Sequence, residues 1–360
     1  MIGITVVFGD EFLKLFCDVT LKSLSTNNNL CQPNCDVSEW IINTTEDGKR
    51  TICNTSYFQK IQQNTKIVFV NITKNTSLYD KYSLMSEGHN LALKKGVEKK
   101  EGVFFIQPDA IYFDGIIKYI KSKNKFAGVF VPSFMVIREK FYDLFSKPES
   151  CTSLKNICDA SCQSLHQFTL DHDLDSSTFR NDCPNFIMSK ISNKDYIFQP
   201  MPHGLIYLNP NLLYKKTITS TYDSDLLENF EKNIESAFFE NNARNCIWPE
   251  MSPRARFSQR VSNEPINFCW ILHAWRTEKH FGNINIQRKF LSLSFRLFSN
   301  EIPNQSNVSI LRLKIISLFV YTALRFKLFL KVANISKTPD NRWRRCINLL
   351  FRTLLCVKPN

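Results

Sequence analysis

Glycine is scarce in this chain, at 10 of 360 residues where about 7% is usual. Neither G-x-x-x-x-G-K-[ST] nor G-x-G-x-x-G occurs, and G-x-S-x-G is also missing. Phosphate-loop, dinucleotide-fingerprint and nucleophile-elbow chemistry therefore lack their sequence support. No run of about 18 uncharged apolar residues exists. The longest, Ile315–Leu324, sits between Lys314 and Arg325 and is too short to span a bilayer. Met1–Phe8 carries no positive charge, and Asp10 and Glu11 follow it, so the sequence predicts no secretory signal. The 12 cysteines are then expected to be reduced thiols in the cytoplasm. Asn-x-Ser/Thr triplets such as Asn43, Asn71 and Asn334 are read as a consequence of abundant asparagine. No internal repeat is present.

What is there is ordinary for a globular chain: 43% hydrophobic and 22% charged residues, with length for about two domains and a sizeable core. The 30 Phe, with abundant Asn, Lys and Ile, read as coding bias. Charge divides the chain. Residues 1–245 hold 27 Lys/Arg and 28 Asp/Glu; residues 246–360 hold 19 and 5. The net +13 therefore belongs to the last third, where an anionic surface is the expected partner. The expected division is 1–245 and a basic, aromatic-rich 246–360.

Ile2–Phe8 is an apolar, β-branched run ending at Gly9-Asp10, and predicts a buried strand followed by a helix over Glu11–Leu24. Further strands are predicted near Trp40–Ile42, over Lys66–Ile72, Gly102–Ile106 and Ala127–Val131, and in Tyr196–Asn209. Helices are predicted near Thr55–Gln62 and over Leu78–Lys100, Ile111–Ser122, 150–168 and Asp223–Ser236. Strand and helix alternate over the first 135 residues, which is the pattern of an open α/β sheet, mostly parallel. Ligands of such sheets sit beyond the strand carboxyl ends, where this chain presents Gly9-Asp10 and Pro108-Asp109.

Ser86–Gly115 is the most informative stretch: a helix with His89-Asn90, an apolar strand, then Asp109. A carboxylate there can hold a divalent cation that neutralises a diphosphate, or bond a ribose. His89-Asn90, Ala92, Val103-Phe104-Phe105-Ile106 and Asp109 follow the order seen in nucleotide-sugar-dependent glycosyltransferases of the GT-A fold. The opening strand and helix resemble those of a bacterial glycosyltransferase-like group. So do Pro108, Asp109, Asp114 and Gly115, and later Arg138 and the His203 segment. The resemblance covers about residues 1–230. It implies a GT-A-like mostly parallel sheet with flanking helices, and a nucleotide sugar as donor. Gly9, Asp10, His89, Asn90, Asp109 and Asp114 would line that donor. A divalent cation, Mn²⁺ or Mg²⁺, would rest on Asp109. The second acid of the usual Asp-x-Asp is replaced by Ile111, with Asp114 the next acid. That departure leaves open a catalytically degenerate scaffold that binds nucleotide or glycan. Each of these residues also has a plain structural reading: turn or cap for Asp109 and Asp114, helix packing for His89 and Asn90, strand end for Gly9-Asp10.

Asp223 and Asp225 precede a helix. Capping is their simplest role; a general base or acceptor contact at Asp223 is the functional alternative. Cys158, Cys162 and His166 recur every four residues and could present zinc ligands if a fourth, His172 or Cys151, joined them. His273 and His280 are seven apart and could share a helix face. In Asn341–Leu355, Trp343, Ile347, Leu350, Phe351 and Leu354 form one stripe, with Arg342, Arg344, Arg345 and Arg352 mostly off it. Such a helix suits an anionic lipid interface. A second, more apolar helix is predicted over Ser309–Val332, and the sequence therefore predicts peripheral attachment through 306–355 to the inner face of the membrane, unless both helices dock on the protein itself. No nucleic-acid motif accompanies the charge, which leaves nucleic acid the weaker candidate. A glycan or lipid-linked molecule is the expected acceptor.

Overall fold

The structure is a computed structural model. It describes residues 1–73, 81–145, 152–173, 186–192, 195–200, 204–213, 217–219, 222–230, 233–255, 293–298, 310–315 and 318.

Five strands open the chain order: β1 (Ile2–Val6), β2 (Glu39–Thr44), β3 (Ile67–Asn71), β4 (Val103–Phe105) and β5 (Gly128–Phe130). Each falls on a strand predicted from its apolar run. Between β1 and β2 lies one continuous helical stretch: α1 (Asp10–Leu15), a π-helical turn (Phe16–Thr20) and α2 (Leu21–Leu24). Next come α3 (Glu46–Cys53) and α4 (Ser56–Ile61), α5 (Lys81–Lys99) before β4, and α6 (Ile116–Ser122) before β5. Thr45 and Thr55 cap α3 and α4 by accepting from the Gly48 and Phe58 backbone N–H groups, which fits the preference for hydroxyls at helix starts.

After β5 come β6 (Ser133–Ile137), α7 (Arg138–Phe145), α8 (Leu154–Ser164) and α9 (Gln167–Leu170). They are followed by β7 (Phe186–Ser192), β8 (Asp195–Pro200), β9 (Leu205–Leu208), α10 (Pro210–Leu213) and α11 (Tyr222–Leu227). The last strands are β10 (Ala237–Phe239), β11 (Trp248–Ser252) and β12 (Phe295–Phe298).

Seven strands form the central sheet in the order β10-β5-β9-β4-β1-β2-β3. All its pairings are parallel except those of β9, which is antiparallel to both β4 and β5. This is the expected mixed α/β architecture, a mostly parallel open sheet with flanking helices. Alternate residues feed the two faces. Trp40, Ile42, Phe104 and Ile106 enter one core, and Ile4, Ile41, Val103 and Phe105 the other. Cover on both faces explains why these strands read as continuous apolar runs.

Among the described residues there are two smaller sheets: β6 with β11, parallel, and β7-β8-β12, antiparallel. The charge change at 245 is not an edge of these sheets, because β11 and β12 follow it and pair with β6 and β8. The predicted strand over 196–209 divides into β8 and β9, which belong to different sheets. The predicted helix over Ile111–Ser122 begins only at Ile116, after Gly115 in a left-handed conformation. Beyond β12, residues 310–315 are helical. The predicted tail helix over 341–355 lies outside the described residues. Among the described residues no helix is long and apolar enough to cross a membrane.

Candidate functional site

The site is built at the carboxyl ends of β1, β4 and β6. β1 runs out through Val7 and Phe8 into Gly9, whose φ of 80° belongs to a region that glycine enters without strain. The turn delivers Asp10 and Glu11 into the exposed first turn of α1. Acids there complement the helix dipole.

β4 ends at Phe105, and Gln107-Pro108-Asp109 follow. Two neighbours hold this loop. The Met251 backbone N–H donates to the Asp109 carbonyl at 2.9 Å, and Ala110 bridges to Glu250. On the other side, Thr20 Oγ1 lies 2.9 Å from the carbonyl oxygens of both Pro108 and Ala110. Thr20 closes the π-helical turn, a feature common at functional sites.

β11 carries the connection onward. Met251 pairs in register with Val136, and Ser252 with Ile137. The next residue after Ile137 is Arg138, at the start of α7. Its Nη1 donates to Glu11 Oε1 at 2.9 Å and its Nη2 to Glu139 Oε1 at 3.3 Å. The carboxyl ends of β1 and β4 are neighbours in the sheet, so one mouth presents Asp10, Glu11 and the Asp109 loop; Arg138 joins it through Glu11, and the Glu250 backbone through Ala110. Arg138 is the cation among these groups. Its side chain is 28% exposed, so it is accessible from solvent while its stem is packed. Beneath the mouth, Tyr112 Oη accepts from the Gln107 N–H. Burial pushes its phenol well above the ordinary range, which keeps it a neutral support.

The structure separates the other predicted residues from this mouth. His89 is buried on α5, edge-on to Phe105 at 5.6 Å and to Tyr222 at 4.7 Å. Gln107 Nε2 donates to Tyr222 Oη at 3.1 Å, so His89 stands behind the β4 end as part of its packing. Asn90 clasps the chain at Ile218, donating through Nδ2 to its carbonyl at 2.8 Å and accepting its N–H at 2.9 Å. Asp114 Oδ2 accepts from Asn28 at 2.6 Å, and its backbone N–H donates to Thr152. Asn28 follows α2 and Thr152 precedes α8. Asp223 and Asp225 lie inside α11 rather than before it, and Asp225 accepts from the N–H and Oγ1 of Thr219 in the preceding loop instead of capping the helix. The Asp223 side chain is outside the described residues, as are His203, His273 and His280.

The zinc alignment fails on His166. α8 stops at Ser164, and His166 caps α9 by accepting the Phe168 N–H on Nδ1 while Nε2 lies 3.0 Å from the Pro253 carbonyl. Both ring nitrogens are thereby engaged. Among the described residues no group of three His, Cys, Asp or Glu could hold a metal ion. Asp109 fits Mg²⁺ or Mn²⁺ only as one ligand, with waters and diphosphate oxygens supplying the rest.

Glu11, Thr20 and Glu250 are members of the site that sequence reading missed. Thr20 had no signal, because a π-helical turn has no short motif. Glu250 lies on β11, in a stretch that was not read as a strand.

No family model and no curated protein matches the chain. Among solved structures it is similar to a protein assigned as a glucose-1-phosphate thymidylyltransferase from Bacillus anthracis, solved with sucrose. That match has 17% identity, a TM-score of 0.25, and covers 39% of this chain and 58% of that one. It is also similar to a mannosyltransferase from Pyrobaculum calidifontis in complex with GDP-Man and Mn²⁺. There the identity is 11% and the TM-score 0.38, over 99% of this chain and 81% of that one. At these scores neither likeness assigns an activity.

Proposed function

We propose that the chain is a glycosyltransferase-like enzyme that moves a sugar from a nucleotide-diphosphate donor to a glycan or lipid-linked acceptor. The observation that carries the reading is the Arg138–Glu11 pair at the end of β1, beside the Asp109 loop at the end of its parallel neighbour β4. Departure of a nucleoside diphosphate develops negative charge. A guanidinium fixed by carboxylates is a preorganised donor for such charge, and its fork matches phosphate oxygens. Asp109 would hold a divalent cation against the diphosphate, and the cation would supply further charge neutralisation. Gly9 and Asp10 would flank the nucleoside. Asp223 remains the candidate base or acceptor contact from its sequence position. The basic tail, 306–355, would bring the enzyme to an anionic membrane surface on the cytoplasmic side.

The test is hydrolysis and transfer with a panel of nucleotide sugars, with and without Mn²⁺ or Mg²⁺. Wild type is compared with Asp109→Asn and Arg138→Ala. The reading expects turnover in wild type and a loss in both variants. Equal rates in all three proteins would remove the assignment.

A second reading has its own support. Asp109 is joined by no second acid of an Asp-x-Asp, and Asp114 is held by Asn28. A scaffold that binds nucleotide without turning it over would show affinity for the nucleoside diphosphate and no release of sugar.

A further inference from the structure

A separate cleft lies on the α5 side of the sheet, at its β2–β3 edge. The last turns of α5 cover strand amino ends: Gly96 packs against Val103, and Lys95 and Lys99 both reach Glu39 at the start of β2. Between this part of α5 and the β2–β3 edge is an open cleft of about 320 Å³. Its floor is Ile41, Val68 and Val70, its wall is Leu91, and its rim is Lys94, Lys95 and Glu98. β3 is the edge strand of the sheet. Val68 and Val70 are half-buried there, and Leu91 is 39% exposed.

The electrostatics of the rim are one-sided. Glu39 is buried, and its carboxylate is shared by three ammonium groups, those of Lys66, Lys95 and Lys99. Lys94 is exposed and forms no ion pair with any described residue. Of the charged groups that line the cleft itself, two are lysines and one is a glutamate. One more anion can therefore enter without meeting net negative charge. A bare anion would leave the valines and Leu91 wet, and a neutral apolar molecule would ignore the lysines.

We propose that this cleft binds a small single-chain amphiphile with an anionic head group, its alkyl chain on Val68, Val70 and Leu91 and its head against Lys94 and Lys95. The volume is at the lower end of small-ligand pockets, about 300–1,000 Å³, which favours a short chain over a macromolecule. The inference is independent of the nucleotide reading, because the cleft shares no residue with the Arg138 mouth.

Calorimetry on the full chain tests it with three probes below their micelle concentrations: octyl phosphate, octyl glucoside and inorganic phosphate. Octyl phosphate is expected to bind with one site and at least tenfold more tightly than either of the others. Lys94→Glu and Leu91→Asp change exposed positions on α5, so both should keep the wild-type melting temperature and each weaken octyl phosphate at least tenfold. A saturating nucleoside diphosphate should leave its affinity unchanged. Failure of octyl phosphate to bind, equal binding of octyl glucoside or of inorganic phosphate, unaltered binding by both variants, or displacement by the nucleotide would each overturn the proposal.

Discussion

Glu11 and Arg138 stand 127 residues apart in the chain and meet at 2.9 Å. The pair joins the first helix of the sheet to the strand–helix junction that follows β6. Its members are 53% and 28% exposed, so it contributes at most about 1 kcal/mol to folding. Arg138→Ala should therefore fold normally. Its loss should appear in ligand affinity: a nucleoside diphosphate should bind at least tenfold more weakly, which is about 1.4 kcal/mol. Arg138→Lys should recover only part, because an ammonium keeps the charge and loses the planar fork. Titration of both variants checks this, and unchanged affinity in Arg138→Ala would take Arg138 out of the site.

Thr20→Val tests how the Asp109 loop is held. Valine has nearly the same shape but no hydroxyl, so the carbonyls of Pro108 and Ala110 lose the donor at 2.9 Å. Leaving buried acceptors without a partner costs about 1–3 kcal/mol. Urea unfolding should show a loss in that range. Because the same carbonyls flank Asp109, divalent-cation dependence of any turnover should shift as well. A stable variant with wild-type cation dependence would show that the hydroxyl holds nothing that matters.

The sheet was legible because its chemistry is local. Ile2–Val6, Ile67–Asn71 and Val103–Phe105 are apolar runs bounded by polar turns, and burial on both faces removes any ambiguity of alternation. β6 and β11 were not legible. A strand is predicted over Ala127–Val131 and none over Ser133–Ile137, which follows β5 after two residues, while Trp248–Ser252 contains Pro249 and Glu250, which do not announce a strand. The site suffered most from this, since the β6–β11 pair links the strand before Arg138 to the backbone that holds the Asp109 loop. Asp109 itself was found by its place after an apolar strand. His89 and Asn90 were proposed from motif order, and order along a helix does not say which face meets ligand. The 3.6-residue period sets His89 toward Phe105 and Asn90 toward Ile218.

Asn90→Asp separates a ligand role from a clasp. The Asn90 amide both donates to and accepts from Ile218, at 2.8 and 2.9 Å. A carboxylate can keep the second bond but must face the carbonyl oxygen with no proton to give. Stability should fall by about 1–3 kcal/mol, with nucleotide affinity unchanged at temperatures where the variant is folded. A variant of native stability and weakened nucleotide binding would return Asn90 to the ligand set.

Buried thiols give the protein a stability that weakens in alkali. Burial, helped by the charge of Asp18, pushes the Cys17 thiol up to about 11. Burial, helped by Asp159, pushes Cys158 to about 12. Cys162 and Cys246 are raised for the same reason. An unfolded thiol ionises near about 8.5. Above that pH the unfolded chain gives up protons that the native chain retains, so the native state binds more protons and stability falls as pH rises. The contribution is whole below about pH 8.5 and declines from there toward 11 and 12, by about 1.4 kcal/mol per pH unit for each thiol. The partly buried Tyr119 and Tyr142 are raised as well and add the same sign once an unfolded phenol would ionise at about 10. Urea unfolding at pH 7, 8.5 and 9.5 should show a flat region followed by a fall. Thiol reactivity isolates the cysteines. Among the described thiols of the native protein at pH 8, an aromatic disulfide reagent should reach the half-buried Cys31, Cys35 and Cys53 first, and the four buried thiols only at the rate of unfolding. Rapid labelling of Cys158 or Cys246 in the folded chain would contradict both the burial and the pH dependence drawn from it.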